Sequence, residues 1–128
     1  MANSQWTVAD KSLGTAPVLG ASETDTPVSR TFALSASAAT EALVMAVTVS
    51  DVTVTTAITL KLQTTLSEIG WVNAKTASIT ADGVVMLTLH AEKAGDQTYF
   101  PLLNNARLVI STGVGDAVTV DKVEVLGL

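Results

Sequence analysis

Residues 57–71 read Ala-Ile-Thr-Leu-Lys-Leu-Gln-Thr-Thr-Leu-Ser-Glu-Ile-Gly-Trp, and their alternation decides the fold class of the chain. Large apolar side chains fall on even positions from Ile58, whereas the odd positions 59–65 are polar, which is the period of a β-strand with one buried face. We expect a core strand over Ile58–Leu66, with Lys61 and Gln63 on its more exposed side. A turn-like segment then ends the strand before Trp71.

The composition of the whole chain agrees with an all-β domain. Its 128 residues suffice for one domain with a buried core. Hydrophobic residues make up 48% of the chain, yet only two Trp, one Tyr and two Phe are aromatic, so Val, Leu and Ala carry most of the apolar content. Val and the abundant Thr favour strands because their branched side chains pack well on a pleated surface.

Other segments alternate in the same way. Residues 43–49 predict a strand, although residues 36–46 are rich in alanine and a helix there is an alternative. Because Val44 and Ala46 are apolar too, we expect this strand to be covered on both faces. Later segments predict a turn at 73–76, a strand at 77–80, a hairpin turn at 81–83, and strands at 84–92 and 106–112.

The last predicted strand, residues 117–125, changes its apolar parity between Val120 and Val123. A β-bulge near Asp121 and Lys122 explains the change, because one extra residue reverses the facing of all later side chains.

The turn spacing predicts a β-sandwich, jelly-roll-like, with about eight short antiparallel strands. Residues 1–27 contain Pro17, Pro27 and a cluster of turn-forming residues, which disfavour a central strand. We therefore predict an N-terminal arm at 1–27 that lies across a surface, with a loosely ordered tail as the alternative, followed by the β-sandwich domain at 28–128.

Charge and cysteine content argue against several functions. Seven Lys and Arg against twelve Asp and Glu give a net charge of -5, and the basic residues never cluster. Nucleic acid and anionic membranes attract basic patches, so we predict neither as a partner. The chain has no cysteine, which excludes disulfides and thiolate metal sites. We also expect no signal peptide and no membrane-spanning helix.

Catalytic and metal-binding sets are not apparent in the sequence. His90 is the only histidine and lies in a predicted strand, without a nucleophile-elbow motif elsewhere in the chain. Two carboxylate pairs, Glu23 with Asp25 and Asp116 with Asp121, lack the spacing of a calcium loop and are interpreted as turn carboxylates. We predict a non-enzyme that uses no metal and no cofactor.

Trp71 offers an alternative function. An indole ring beside the amides of Asn73 and Gln63 suits a sugar-stacking platform, as in carbohydrate-binding β-sandwich modules. A Trp that follows a strand is also typical of a core or interface position, so both interpretations stay open at this point.

Two stretches carry a family resemblance. The first is Leu-Lys-Leu-Gln-Thr-Thr-Leu at 60–66, followed by a turn and Gly70-Trp71; the second runs from Phe100 to Val125, where an Arg-bearing strand leads through a Gly-Asp turn into a Val/Thr-rich strand. Together they resemble the small β-sandwich decoration, or cement, proteins of tailed-bacteriophage heads. The resemblance implies a non-enzymatic protein that binds the major capsid protein on the outer surface of the virion and stabilises the shell. It also implies a homo-oligomer, often a trimer, assembled in the host cytoplasm.

Two apolar regions are expected to supply the contacts with the capsid or with other copies. Pro101 keeps the second region from being a central strand, and aromatic or aliphatic side chains of this kind dominate interface energetics. The predicted interface residues are Trp6, Val8, Val18 and Leu19 in the arm, and Tyr99, Phe100 and Leu102 near Pro101.

Overall fold

A computed structural model describes residues 4–10, 12, 17–33, 42–65, 70–90, 92–94, 97–99 and 105–127. These residues form twelve β-strands and no α-helix. The strands are β1 (Ser4–Asp10), β2 (Val18–Leu19), β3 (Thr26–Pro27), β4 (Phe32–Ala33), β5 (Ala42–Thr53), β6 (Ile58–Thr65), β7 (Val72–Ile79), β8 (Gly83–His90), β9 (Glu92–Ala94), β10 (Gln97–Tyr99), β11 (Asn105–Thr112) and β12 (Ala117–Gly127).

Two antiparallel sheets contain nearly all of these strands. The first sheet has the order β1-β12-β5-β8, with β2 also paired to β12, and the second has the order β3-β11-β6-β7, with β4 also paired to β11. Among the described strands, β9 and β10 pair only with each other. The two main paths together hold eight strands, so the predicted all-β sandwich is confirmed.

The core lies between the two sheets. Strand β6 contributes Ile58, Leu60 and Leu62, all of them buried, as the alternation of residues 57–71 predicts. Strand β5 contributes its odd-numbered apolar residues, and the strand at 42–46 excludes the helical alternative for those residues. The main members of the core are Leu19, Val28, Leu43, Met45, Val47, Val49, Ile58, Leu60, Leu62, Ile79, Leu87, Leu89, Leu108, Ile110, Val120, Val123 and Val125.

The predicted bulge in the last strand is confirmed. The pairing of β12 with β5 shifts by one residue between Val120 and Lys122. The shift keeps Val120 and Val123 on the same side of the sheet although three positions separate them, and both are fully buried.

Two sequence predictions in the second half of the chain are wrong. Residues 73–76, predicted as a turn, lie inside β7, which runs along the edge of the second sheet where polar side chains reach solvent. Residues 81–83, predicted as a hairpin turn, connect β7 in the second sheet to β8 in the first. A local turn signal indicates that the chain reverses but does not indicate which sheet the next strand joins.

Residues of the predicted N-terminal arm pair with both sheets. Strand β1 pairs with β12, β2 pairs with another part of β12, and β3 pairs with β11. Leu19 is only 2% exposed and belongs to the core, whereas its neighbour Val18 is 77% exposed. Val18 therefore presents a surface for contact and Leu19 does not, because successive strand residues point to opposite faces. The division of the chain at residue 27 stays a prediction.

Asp116 ties together two of the connections that cross between the sheets. Its carboxylate accepts hydrogen bonds from the backbone N–H groups of Thr55 (2.6 Å), Thr56 (2.9 Å) and Ala57 (3.0 Å), between β5 and β6. It also accepts one from Gly113 N–H (2.7 Å), between β11 and β12. These backbone donors, with that of Thr56 foremost, hold the pKa of Asp116 well below its ordinary value, although its burial acts in the opposite direction.

Candidate binding surfaces

The second sheet carries a polar cluster on its outer face. The register places Gln63 of β6 opposite both Arg107 of β11 and Asn73 of β7. The pairing of β6 with β7 shifts by one residue between Leu62 and Gln63. Without that shift, Ala74 rather than Asn73 would lie opposite Gln63.

Hydrogen bonds and a ring contact join four side chains in this cluster, namely Gln63, Trp71, Asn73 and Arg107, which we call the polar cluster. Arg107 Nε donates a hydrogen bond to Gln63 Oε1 (3.0 Å), and Gln63 Nε2 donates one to Asn73 Oδ1 (3.1 Å). The guanidinium carbon of Arg107 lies 4.3 Å from the centroid of the Trp71 ring, which is the geometry of a cation–π contact.

The structure therefore brings together all three residues of the predicted sugar platform, but it changes the role of one. Gln63, predicted on the exposed side of its strand, is only 5% exposed, because Arg107 and Asn73 flank it and take both ends of its amide. Gln63 orients Arg107 and is not itself available to a ligand. Trp71 is half-buried, and Asn73 is exposed.

Arg107 is the residue that sequence reasoning missed. Its parity is opposite to that of the buried Ala106, Leu108 and Ile110, which indicates an outward side chain. Parity alone does not reveal its neighbours, because the register between β11 and β6 joins residues 44 positions apart.

The charges of the two sheets differ in sign. The strands of the second sheet contain Lys61, Lys75 and Arg107 and no carboxylate. The strands of the first sheet contain one lysine and four carboxylates, which are Asp10, Asp51, Asp121 and Glu124. In a chain with a net charge of -5, the second sheet is thus the part that attracts an anion.

Asp25, just before β3, neutralises one of these cations. Its Oδ1 accepts a hydrogen bond from Lys61 Nζ at 2.8 Å and another from Ser111 Oγ at 3.0 Å. Both interactions, that with Lys61 first, lower the pKa of Asp25. Glu23 Oε2 accepts a hydrogen bond from Thr26 Oγ1 at 2.7 Å.

These bonds agree with the interpretation of Glu23 and Asp25 as turn carboxylates. The interpretation is wrong for the other pair, because Asp116 is only 2% exposed and Asp121 lies within β12. In the part of the chain that the structure describes, no three His, Asp or Glu side chains are grouped so that they could hold a metal ion.

The first sheet has an apolar outer face of a different kind. Val44 and Ala46 of β5, Val84 and Met86 of β8, and Leu126 of β12 alternate with core residues and point away from them; we call these five residues the apolar face. Val84 and Met86 are each 60% exposed. A shallow groove runs between Val44, Ala46, Met86 and Leu126, with Glu124 at its side.

The expectation that β5 is covered on both faces is therefore wrong for the described residues. Val44 and Ala46 are half-buried, and the groove that they line is open to solvent. These apolar side chains lie on the outer surface of the first sheet, because each strand of a two-layer sandwich has one face that points away from the core.

The edge strand β8 continues the apolar face. It pairs with β5 and with no other described strand, and its eight residues contain no Asp, Glu, Lys, Arg or Pro. The equivalent edge of the second sheet, β7, carries Lys75. Charged residues at sheet edges discourage pairing with other chains, so β8 is the less protected of these two edges.

Most of the predicted interface residues have side chains outside the part of the chain that the structure describes. Trp6 and Val8 belong to β1 and Tyr99 to β10, but their side chains lie outside the described part. Phe100 and Leu102 lie outside the described residues altogether. Their predicted roles stay predictions.

His90 ends β8, and its side chain is exposed. It pairs in register with Ala42 at the start of β5. Among the described residues, no helix has the length and apolar character that crossing a membrane requires.

Comparison with known proteins adds little to this picture. The chain matches no protein-family profile and no curated protein. It is similar to a solved structure described as "Crystal structure of PirA", with 14% sequence identity, a TM-score of 0.34, and coverage of 98% of this chain and 91% of that chain. A likeness of this size carries no argument about function.

Proposed function

We propose that this chain is a non-enzymatic structural protein that binds the outer surface of a phage capsid and stabilises it. The observation that supports the proposal is the apolar face of the first sheet, with Val84 and Met86 each 60% exposed. Contiguous exposed apolar surface in a small domain marks a site of interaction with another protein. The sequence resemblance to decoration proteins names the occupant as the major capsid protein.

The apolar face has the layout of a small docking site. Glu124 lies at the side of the groove that the apolar residues form. Its Oε2 is 3.7 Å from Lys122 Nζ in a part-exposed ion pair. An apolar centre with a polar rim is the usual anatomy of a protein interface. Full burial of a Val or Met side chain contributes about 1.5–3 kcal/mol, so Val84 and Met86, each 60% exposed, can supply part of the free energy of such a contact.

The same proposal includes self-association and location. By the family resemblance, the protein forms a homo-oligomer, most often a trimer, on the outer capsid surface of the virion after synthesis in the host cytoplasm. Many copies of a weak contact give a stable coat, because each additional contact within an oligomer is made at high effective concentration.

Cosedimentation with undecorated capsid shells tests this proposal. Met86→Glu places a charge in the most exposed part of the apolar face, on edge strand β8, and we expect it to weaken shell binding at least about tenfold, equivalent to about 1.4 kcal/mol. Val114→Glu is the matched control, since Val114 is 76% exposed but lies in the turn between β11 and β12. A wild-type protein that does not sediment with shells, or a Met86→Glu variant that binds as the wild type does, would contradict the proposal.

A second candidate function is carbohydrate binding by the polar cluster. The observation that favours it is the convergence of Trp71, Asn73 and Gln63, which the sequence suggested separately, around Arg107. The two functions are compatible because the polar cluster and the apolar face lie on different sheets. A glycan array probed with the full chain tests the second function independently of shell binding.

A further inference from the structure

We infer that Arg107 makes the polar cluster selective for sugars that bear a carboxylate, an inference that rests on the second candidate function above. Arg107 is held on two sides. Its Nε donates a hydrogen bond to Gln63 Oε1, and its guanidinium carbon lies over the Trp71 ring, 4.3 Å from the ring centroid. Its terminal nitrogens, Nη1 and Nη2, form no hydrogen bond with any residue that the structure describes.

This arrangement presents a preformed fork of donors. A guanidinium that packs over an aromatic ring and whose Nε is already hydrogen-bonded has lost much of its conformational freedom before a ligand arrives. Its two terminal nitrogens match the two oxygens of a carboxylate, which they bind through a pair of parallel charge-assisted hydrogen bonds. A neutral hydroxyl cannot use both nitrogens in this way.

Gln63 acts as a positioning residue for this fork. Its side chain is more than nine-tenths buried. Its amide is hydrogen-bonded to Asn73 on β7 at one end and to Arg107 on β11 at the other, so it fixes the position of Arg107 relative to Asn73. Asn73 accepts with Oδ1, so its Nδ2 points its two hydrogens elsewhere and, being exposed, can donate to a ligand.

The surrounding charges favour an anion at this place. Lys61 and Lys75 are the other charged residues on the strands of the second sheet. The carboxylate of Asp25, which lies near this sheet, is already engaged by Lys61 at 2.8 Å. A ligand carboxylate at Arg107 therefore approaches a locally positive surface of an otherwise acidic protein.

The chemistry around Arg107 favours a sugar acid over the carboxylate of another protein. Arg107 covers one face of the Trp71 ring, so a sugar meets the part of the indole that stays exposed, and Asn73 adds an exposed amide donor. A pyranose ring has an apolar face for the indole and hydroxyls for the amide, whereas an isolated Asp or Glu side chain engages the guanidinium alone.

Isothermal titration calorimetry with the full chain tests the inference. The probes are a glucuronate-containing oligosaccharide, the methyl ester of the same oligosaccharide, and a glutamate-rich peptide. We expect the glucuronate sugar to bind about 10- to 100-fold more tightly than its methyl ester, which is the range for a hydrogen bond to a charged group. The preference for the acid over its ester should shrink as the salt concentration is raised, because salt screens the attraction between the Arg107 guanidinium and the ligand carboxylate at the protein surface.

The variants Arg107→Lys and Arg107→Gln separate the fork from the charge. We expect both to lose most of the preference for the acid over its ester, since Lys keeps the charge but not the planar pair of donors. Lys122→Gln removes a charge from β12 in the first sheet, away from the polar cluster, and is the matched control, with a preference that stays within about twofold of wild type. Circular dichroism and thermal unfolding establish that each variant is folded.

The outcomes distinguish the inference from the function beneath it. Equal binding of the acid and its ester overturns the selectivity assigned to Arg107 but leaves carbohydrate binding in place. Binding of the glutamate peptide without binding of either sugar identifies a protein carboxylate as the ligand and overturns the sugar assignment. Binding of none of the three, together with a thermally destabilised Arg107→Gln variant, overturns both and makes the cluster a structural contact.

Discussion

Replacing Leu62 by Ala tests how the core of the sandwich is built. Leu62 is fully buried at the centre of β6, and its cross-strand neighbour on β11 is Leu108, which is fully buried too. Strand β6 is held by β11 on one side and by β7 on the other. The backbone around Leu62 therefore has little room to collapse into the space that the missing side chain leaves.

The expected loss of unfolding free energy is about 2–5 kcal/mol. Of this, about 1.5–3 kcal/mol is the lost transfer of a leucine side chain from water, and the rest comes from the residual cavity. The loss is a large part of the about 5–15 kcal/mol that stabilises a domain of this kind, so the variant should fold but melt early.

Urea denaturation followed by circular dichroism measures this loss. Leu108→Ala and the double variant complete a cycle, and we expect a coupling of about 0.5–3 kcal/mol between the two leucines because they are in contact. Val114→Ala, at an exposed turn position, should change stability by no more than about 0.5 kcal/mol. A loss below about 1 kcal/mol for Leu62→Ala would refute the assignment of the even-numbered residues of β6 to the core.

Three further predictions concern charge, catalysis and assembly. Backbone N–H groups lower the pKa of Asp116 below its ordinary value near 3.8. The ionised carboxylate therefore stabilises the fold fully above that pH, and this stabilisation is lost as the pH falls below it. In urea unfolding from about pH 6 to about pH 2, the unfolding free energy of the wild type should fall more steeply than that of Asp116→Asn. His90→Ala should leave both the fold and shell binding unchanged, since no catalytic partners are identified for it, and an activity abolished in a folded His90→Ala variant would defeat the non-enzyme proposal. Sedimentation equilibrium of the isolated protein should give three times the chain mass, and a strict monomer that also ignores shells would count against both the oligomer and the capsid contact.

The sequence was sufficient where a segment has one buried face. Period-two alternation located β6, and the parity change in residues 117–125 located the bulge between Val120 and Lys122. In both cases the information is local, because burial on one face requires every second residue to be apolar. The segment at 73–76 escaped for the opposite reason: it lies on edge strand β7, where exposed polar side chains on both faces weaken the alternation.

The candidate site could be predicted only in part. Trp71 and Asn73 were recognisable from their chemistry, but their meeting with Arg107 depends on a register that no local pattern encodes. The burial of Gln63 depends further on the one-residue shift between β6 and β7, which brings Asn73 beside it. The apolar face was not predicted: Val44 and Ala46 were recognised as apolar but expected to be covered, because the sequence does not reveal which face of each strand the other sheet covers.

Electron cryomicroscopy of undecorated shells incubated with the protein tests the central proposal most directly. The proposal predicts added density on the outer shell surface into which the sandwich fits with Val84 and Met86 against the shell, leaving Trp71 and Arg107 facing solvent. Density that fits only with the second sheet against the shell would contradict the assignment of the apolar face. Shells that stay bare at saturating protein would contradict the proposed function itself.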